Sequence, residues 1–273
     1  MPCGDIPSMN NRQRENNERD NKEENVLLDS SIVFSEHKDK NLINKIQKDI
    51  LKYFNQDEKF YFDLPIETYR ELIKNTQDFL NGKEYARKIC GECIQTIKNY
   101  IEEDKFFIQT NLYLRATRPT ANIETESIGW HRETFYGPNM EKCVNVWTPI
   151  LDVNEKNTLR FIPNSQNIPE SDIIVNQIND VVTIKGSTGS KIGFQYSPKI
   201  IVGGVDLNKA TPLNVPNFNS ALFPGLLVHG SAQNFSQNIR FSVDFQILPF
   251  SAYDPEQSKK FHSASNKPYF ELY

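Results

Sequence analysis

Between positions 40 and 103 apolar residues recur with a period of about 3.6, the spacing that places side chains on one face of an α-helix. Ile43, Ile46, Ile50, Leu51 and Phe54 form one stripe, Tyr69, Leu72, Ile73 and Phe79 a second, and Tyr85, Ile89, Ile94, Ile97 and Tyr100 a third. The pattern predicts three amphipathic helices, each with one stripe to bury. From Lys105 the texture changes. Short runs of β-branched and aromatic residues, such as Phe106-Phe107-Ile108 and Val144-Asn145-Val146-Trp147, replace the helical period and read as strands. Pro119, Pro138, Pro149, Pro163, Gly203-Gly204, Pro212 and Pro224-Gly225 punctuate this half as turns between many short strands. Helices followed by an all-β half suit one mainly β unit, with a helical cover over 40–103 and a β-barrel over 105–250. The stretch 168–219, which contains Gly186-Ser187-Thr188-Gly189, breaks the pattern and is expected to hold a long insertion or a lid.

Residues 1–25 are polar almost throughout and have too little apolar surface to offset the entropy of ordering them. A disordered tail is expected there, ahead of a single domain over 26–273. Elsewhere 18 Phe and 11 Tyr supply a core, which excludes a chain disordered from end to end. The net charge of −4 gives no global field to draw the protein to nucleic acid or an anionic membrane. Ala221 to Val228, an apolar run, is broken by Pro224 and Gly225 and falls short of the ~18 residues that suggest a spanning helix. No apolar segment of the kind a secretory signal needs occurs near the N-terminus. Cys3, Cys90, Cys93 and Cys143 are too few and too scattered for a disulfide framework. A cytoplasmic protein with no membrane or nucleic-acid partner is expected, its oligomeric state unstated by the sequence. Cys90 and Cys93 have CXXC spacing, but they lie inside a helical pattern with no second pair and are expected to be buried helix residues, not a zinc or redox site.

The chemistry concentrates in Gly129-Trp130-His131-Arg132-Glu133. In a strand, residues i and i+2 face the same way, so His131 and Glu133 would present an imidazole and a carboxylate side by side. That is two-thirds of a 2-His-1-carboxylate facial triad, which holds Fe(II) on one face and leaves the opposite positions open. His229 is the candidate for the third ligand, because it interrupts the apolar run Leu226-Leu227-Val228; His37 lies before the helices and His262 in a polar C-terminal segment. Taken singly, each histidine is more often a hydrogen-bonded packing residue. The weight shifts with Arg240, eleven residues after His229 in Ile239-Arg240-Phe241-Ser242. A hairpin between the two would bring the arginine beside the metal, where its fork could clamp a carboxylate bidentately.

These segments, in order and spacing, resemble the phytanoyl-CoA dioxygenase-like branch of the Fe(II)/2-oxoglutarate oxygenases over about residues 105–248. The carriers are His131-Arg132-Glu133, Asn145-Val146-Trp147-Thr148-Pro149, Asn157 to Ser165, Leu222 to Ser231, Asn234 and Arg240-Phe241-Ser242. The resemblance implies a double-stranded β-helix, the jelly-roll or cupin-like barrel, with iron at its mouth. It implies that Arg240 binds the far carboxylate of 2-oxoglutarate, with Ser231 assisting, Asn145 and Trp147 lining the same pocket, and Ser242 a further contact. Glu133 stands where the branch usually has Asp, and related oxygenases use Glu. Asn157-Thr158 replaces an Asn-Gly turn, and Asn164-Ser165-Gln166 replaces Gly-Ser-His. Halogenating relatives lack the carboxylate, so Glu133 implies hydroxylation or a related oxidation.

The expected activity is that of a 2-oxoglutarate-dependent dioxygenase, using Fe(II), 2-oxoglutarate and O2 and releasing succinate and CO2 as it oxidises a small metabolite. Because His131 and His229 must be neutral and Glu133 ionised to hold a metal, activity is expected to fall at acid pH. Arg115, Arg118, Arg132 and Arg160 cluster in sequence near the expected mouth, and an anionic or carbohydrate-type substrate would suit them; solvated or internally paired charge would explain them equally. Two other classes stay open: a cupin-type iron enzyme that does not use 2-oxoglutarate, and a non-catalytic ligand-binding jelly roll.

Overall fold

The computed structural model describes residues 29–119, 128–137, 140–177, 199–231, 233–258 and 268–273. The expected tail over 1–25, Pro138, Gly186-Ser187-Thr188-Gly189 and His262 lie outside the described residues.

The three expected helices are present, with one addition between them and a short helix, Pro255–Ser258, near the C-terminus. α1 (Lys40–Ile50) starts at Asp39, whose carboxylate accepts the Asn41 N–H at 2.9 Å and satisfies a first-turn donor. α2 (Glu58–Phe62) is the addition: five residues are barely more than one turn and carry no readable period. α3 (Ile66–Gly82) and α4 (Tyr85–Ile101) follow. Leu51, assigned to the first stripe, falls just past the end of α1 and is 45% exposed, whereas Ile43, Ile46, Ile50 and Phe54 are buried. Cys90 and Cys93 are fully buried, unpaired residues of α4, which leaves them as packing.

The rest is mainly β, but a strand precedes the helices. β1 (Val33–Glu36) pairs with β9 (Asn219–Pro224) at one edge of a seven-stranded antiparallel sheet. Its other members are β2 (Phe106–Gln109), β3 (Tyr113–Thr117), β4 (Val144–Leu151), β11 (Arg240–Pro249) and β12 (Phe270–Leu272), in the order β1-β9-β4-β11-β2-β12 with β3 also on β11. A second sheet joins β10 (His229–Ser231), β5 (Leu159–Phe161) and β8 (Thr211–Pro212). Within the stretch that broke the sequence pattern, β6 (Ile174–Gln177) and β7 (Lys199–Gly203) form a two-stranded ribbon, tied to Trp130 by the Ile201 N–H at 2.8 Å. Among the described residues the strands close no barrel; two β layers face each other instead. No described helix is long and apolar enough to cross a membrane.

Alternation on β11 organises these layers. Phe241, Val243, Phe245 and Ile247 pack into the core shared with α1, α3 and α4, where Phe54 meets Phe241 edge-on at 4.9 Å. Burying a phenylalanine of this kind contributes roughly 1.5–3 kcal/mol. Arg240, Ser242, Asp244 and Gln246 therefore point the other way, toward the second sheet. On β4 likewise, Val144 and Val146 join the helix-side core, while Trp147 packs with Leu159, Phe161 and Phe223 between the sheets. The polar inner stripe of β11 makes the site.

Candidate metal centre

His131 and His229 are joined by reciprocal backbone hydrogen bonds, His131 N to His229 O at 2.9 Å and His229 N to His131 O at 3.1 Å. The expected strand at His131 is only this isolated bridge, and Glu133 opens a single 3-10 turn, Glu133–Tyr136. The expected sidedness survives because the intervening Arg132 keeps extended dihedrals, φ −123° and ψ 156°, which set residues 131 and 133 on one side. The Glu133 N–H is held by Gly225 O at 2.9 Å. Gly225 is needed there for space: a Cβ would lie 2.4 Å from Cys143 Sγ and 3.0 Å from Glu133 Cβ.

The three side chains converge. Glu133 Oε1 lies 3.6 Å from His229 Nε2 and 3.9 Å from His131 Nε2, and one donor atom from each residue falls within 4.8 Å of the others. All three residues are at most 4% exposed. His131 Nδ1 is 2.8 Å from Gly129 O and His229 Nδ1 is 2.8 Å from Leu227 O. A carbonyl can only accept, so each Nδ1 carries the proton, and in the neutral imidazole Nε2 is the lone-pair nitrogen. Two lone pairs and a carboxylate oxygen gathered in a dry space repel one another unless a cation sits between them. The donor set therefore fits a divalent metal, and its two imidazoles and one carboxylate suit iron.

A second demand comes from Arg240. Its guanidinium is 1% exposed; Nη1 donates to Ser242 Oγ at 2.6 Å, while Nε and Nη2 have no partner among the described residues. Burial and then the neighbouring Arg115 push it down to about 10, the mark of a cation with too little negative charge around it. Asn145 Nδ2 and Trp147 Nε1, buried in the same pocket as the three metal-type ligands, also lack partners among the described residues. Apart from the three metal-type acceptors, the groups lining this pocket without a partner among the described residues are N–H donors, which suits an anion with several acceptor oxygens, as a dicarboxylate has. The expected hairpin between His229 and Arg240 is absent: β10 belongs to the three-stranded sheet and β11 to the seven-stranded one. Arg240 instead faces the histidines from the opposite layer. Ser231 lies in β10, two residues past His229, and its side chain is outside the described ones.

Sequence reasoning missed Gln246 and Tyr269. Gln246 Nε2 donates to Glu133 Oε2 and lies 3.4 Å from Asn145 Oδ1; Tyr269 Oη donates to Gln246 Oε1 at 3.3 Å. Burial lifts the Tyr269 hydroxyl well above its ordinary range, so it stays protonated and able to donate. The alternation Arg240, Ser242, Asp244, Gln246 was the available signal for the glutamine. Nothing local marks Tyr269.

The arginines separate. Arg115 lines the metal pocket but is bound bidentately to Asp244, at 2.7 and 3.0 Å. Arg118 is buried under the helices, donating to the carbonyls of Tyr61, Phe62 and Leu64. Arg132 points away from its two neighbours, donates to Ile168 O at 2.9 Å and to Ser165 O, and lines a separate cavity of about 750 Å³. Arg160 sits between the inward-facing Leu159 and Phe161 of β5 and so faces the other side. His37, fully buried, is a packing residue bonded through Nε2 to Ser220 Oγ at 2.7 Å.

Among solved structures the chain is similar to EvdO2 from Micromonospora carbonacea var. aurantiaca complexed with 2-oxoglutarate (13% identity, TM-score 0.43, 58% of this chain and 59% of that one). It is also similar to the epimerase SnoN in complex with Fe3+, alpha ketoglutarate and nogalamycin RO (13%, 0.44, 80% and 79%). A third is ThoJ, a non-heme monooxygenase (13%, 0.46, 80% and 74%). The chain thus spans about three fifths of the length of EvdO2. No curated protein matches it. The sequence profile of phytanoyl-CoA dioxygenase matches residues 6–177, well over half of the chain, ending before His229 and Arg240. Those two residues complete, from the unmatched C-terminal part, the constellation that His131 and Glu133 begin, and the chain belongs to the phytanoyl-CoA dioxygenase family.

Proposed function

We propose that this protein is an Fe(II)- and 2-oxoglutarate-dependent oxygenase, with His131, Glu133 and His229 as metal ligands and Arg240 as the clamp for the far carboxylate of 2-oxoglutarate. The observation that carries the reading is the pairing of a three-acceptor cluster with a buried, unneutralised guanidinium in one pocket. Iron held by His131, Glu133 and His229 would supply, with 2-oxoglutarate and O2 as co-reactants and succinate and CO2 as co-products, the oxidising power for attack on a substrate C–H bond. The chain's own groups orient and exclude water. Each Nδ1–H holds its imidazole by a backbone carbonyl, Ser242 steadies the Arg240 fork, and the Asn145 and Trp147 N–H groups serve as further donors to the cosubstrate. We read residues 26–273 as one oxygenase unit.

The substrate proposed is a small neutral or carbohydrate-type metabolite. Arg115, Arg118 and Arg132 are engaged by internal partners, which weakens the case for an anionic one. Liganded EvdO2 and SnoN, whose structures hold 2-oxoglutarate, with Fe3+ and nogalamycin RO in SnoN, support the cofactor choice by analogy.

The test is anaerobic addition of Fe(II) and 2-oxoglutarate to the metal-free chain. A weak visible charge-transfer band is expected, reduced to background in His131→Ala and His229→Ala. Iron bound without that band would favour the cupin-type alternative; no iron bound would favour a non-catalytic barrel. Substrate-stimulated succinate release across a metabolite panel then identifies what is oxidised.

A further inference from the structure

One amide touches both halves of the site. The carboxylate of Glu133 can only accept, so the nitrogen end of Gln246 must face Glu133 Oε2. The oxygen end is held by the Tyr269 hydroxyl at 3.3 Å, and the Gln246 backbone N–H is held by Gln109 Oε1 at 3.1 Å. Gln109 is itself anchored, donating to Asn111 O at 2.6 Å. The amide can neither flip nor swing without losing a partner in a buried place. Two results follow at its nitrogen. With Oε2 of Glu133 tied back, Oε1 is the oxygen left near the two imidazole Nε2 atoms, at 3.6 and 3.9 Å. With Asn145 Oδ1 drawn toward Gln246 at 3.4 Å, the Asn145 Nδ2 group is turned to the other side, where it has no partner among the described residues.

We propose that Gln246 is the positioning residue of this centre, holding Glu133 to a single ligand oxygen and aiming the Asn145 amide at the cosubstrate. The proposal rests on the oxygenase reading above. A carboxylate free to offer both oxygens would occupy a coordination position that 2-oxoglutarate and O2 need open. Glutamine suits the task because it binds Oε2 as a neutral donor; a lysine or arginine there would compete with the metal for the carboxylate's charge.

The test uses Gln246→Met, of similar length and unable to donate. Metal-free wild-type and variant chains are titrated with Co(II) alone and followed by visible absorption, with the melting temperature as a check on folding. The variant is expected to bind Co(II) about 10- to 100-fold more weakly, the range usual for loss of a partner behind a metal ligand. Its Co(II) spectrum should change shape, and the Co(II) form should bind 2-oxoglutarate more weakly as Asn145 turns. Wild-type affinity and spectrum in a folded Gln246→Met chain overturn the proposal. Should that variant fail to fold, Tyr269→Phe keeps the amide but releases its oxygen end, and a smaller change of the same sign is expected; an unchanged Co(II) affinity and spectrum there overturns it equally. A wild-type chain that takes up no Co(II) brings down the oxygenase reading itself, an outcome distinct from a wild-type chain that binds and a variant that binds as well.

Discussion

His131 and His229 face each other as partners in one antiparallel bridge, each donating its backbone N–H to the other's carbonyl. The backbone, and not the imidazoles, holds the two segments together. His131→Ala and His229→Ala are therefore expected to fold with metal-free stability within about 1 kcal/mol of wild type, since each also removes one member of a mutually repelling acceptor set. The stabilisation that Fe(II) or Co(II) gives the wild type should vanish in both. Thermal melts with and without metal check this; a metal-induced rise preserved in either variant contradicts the ligand assignment.

Gly225→Ala is expected to damage fold and site together. The new methyl would sit 2.4 Å from Cys143 Sγ and 3.0 Å from both Met140 O and Glu133 Cβ, so the backbone carrying Glu133 has to move. Overpacking of this kind costs about 1–3 kcal/mol. Urea unfolding should show that loss, and Co(II) titration a weaker site. A variant as stable as wild type with unaltered Co(II) affinity would mean the Gly225–Glu133 contact is slack.

Arg240→Met should trade binding for stability. It removes a buried cation whose Nε and Nη2 have no partner among the described residues and leaves a thioether chain that packs. The metal-free variant is expected to melt at or above the wild-type temperature. Its affinity for 2-oxoglutarate should fall at least about 100-fold, the scale of about 3 kcal/mol for a lost charge-assisted contact. A melting temperature well below wild type would show that the guanidinium is structural.

His37 gives the fold an acid sensitivity separate from the metal ligands. Burial lowers its pKa below 6.5, opposed in part by Glu92. The unfolded chain therefore binds a proton more readily than the native one. The contribution of neutral His37 is fully present above pH 6.5 and is lost as pH falls below it toward the folded value. His37→Gln should flatten the stability profile below pH 6.5, seen in urea midpoints as the pH is lowered from there; an unchanged slope would place the acid sensitivity elsewhere.

Long elements were legible because their periodicity repeats often enough to stand out. α1, α3 and α4 each span three turns or more, and β4 and β11 alternate over eight and ten residues. β1 and β12 were not, because four and three residues carry no period and their partners β9 and β2 lie far away in the chain. His131, Glu133 and His229 were legible as ligand types at strand spacing beside an arginine. The route by which Arg240 reaches them was not, since sequence separation suggested a hairpin where the chain crosses between layers. Gln246 and Tyr269 stayed hidden for a related reason: a side chain that acts by gripping another side chain has no motif of its own, and its partner here is 113 residues away.

That separation has a consequence for how the protein would acquire the metal proposed for it. Neither ligand-bearing stretch can form the centre alone, and Gln246 arrives later still, so a chain emerging from the ribosome has no complete binding site until β10 and β11 have docked on what came before. On the proposed ligand assignment, uptake of iron is coupled to closure of the fold. An ion that binds the native form alone shifts the folding equilibrium by about 2.7 kcal/mol at a hundred times its dissociation constant. If the proposed assignment holds, starvation for iron would accordingly lower the abundance of this chain as well as its activity.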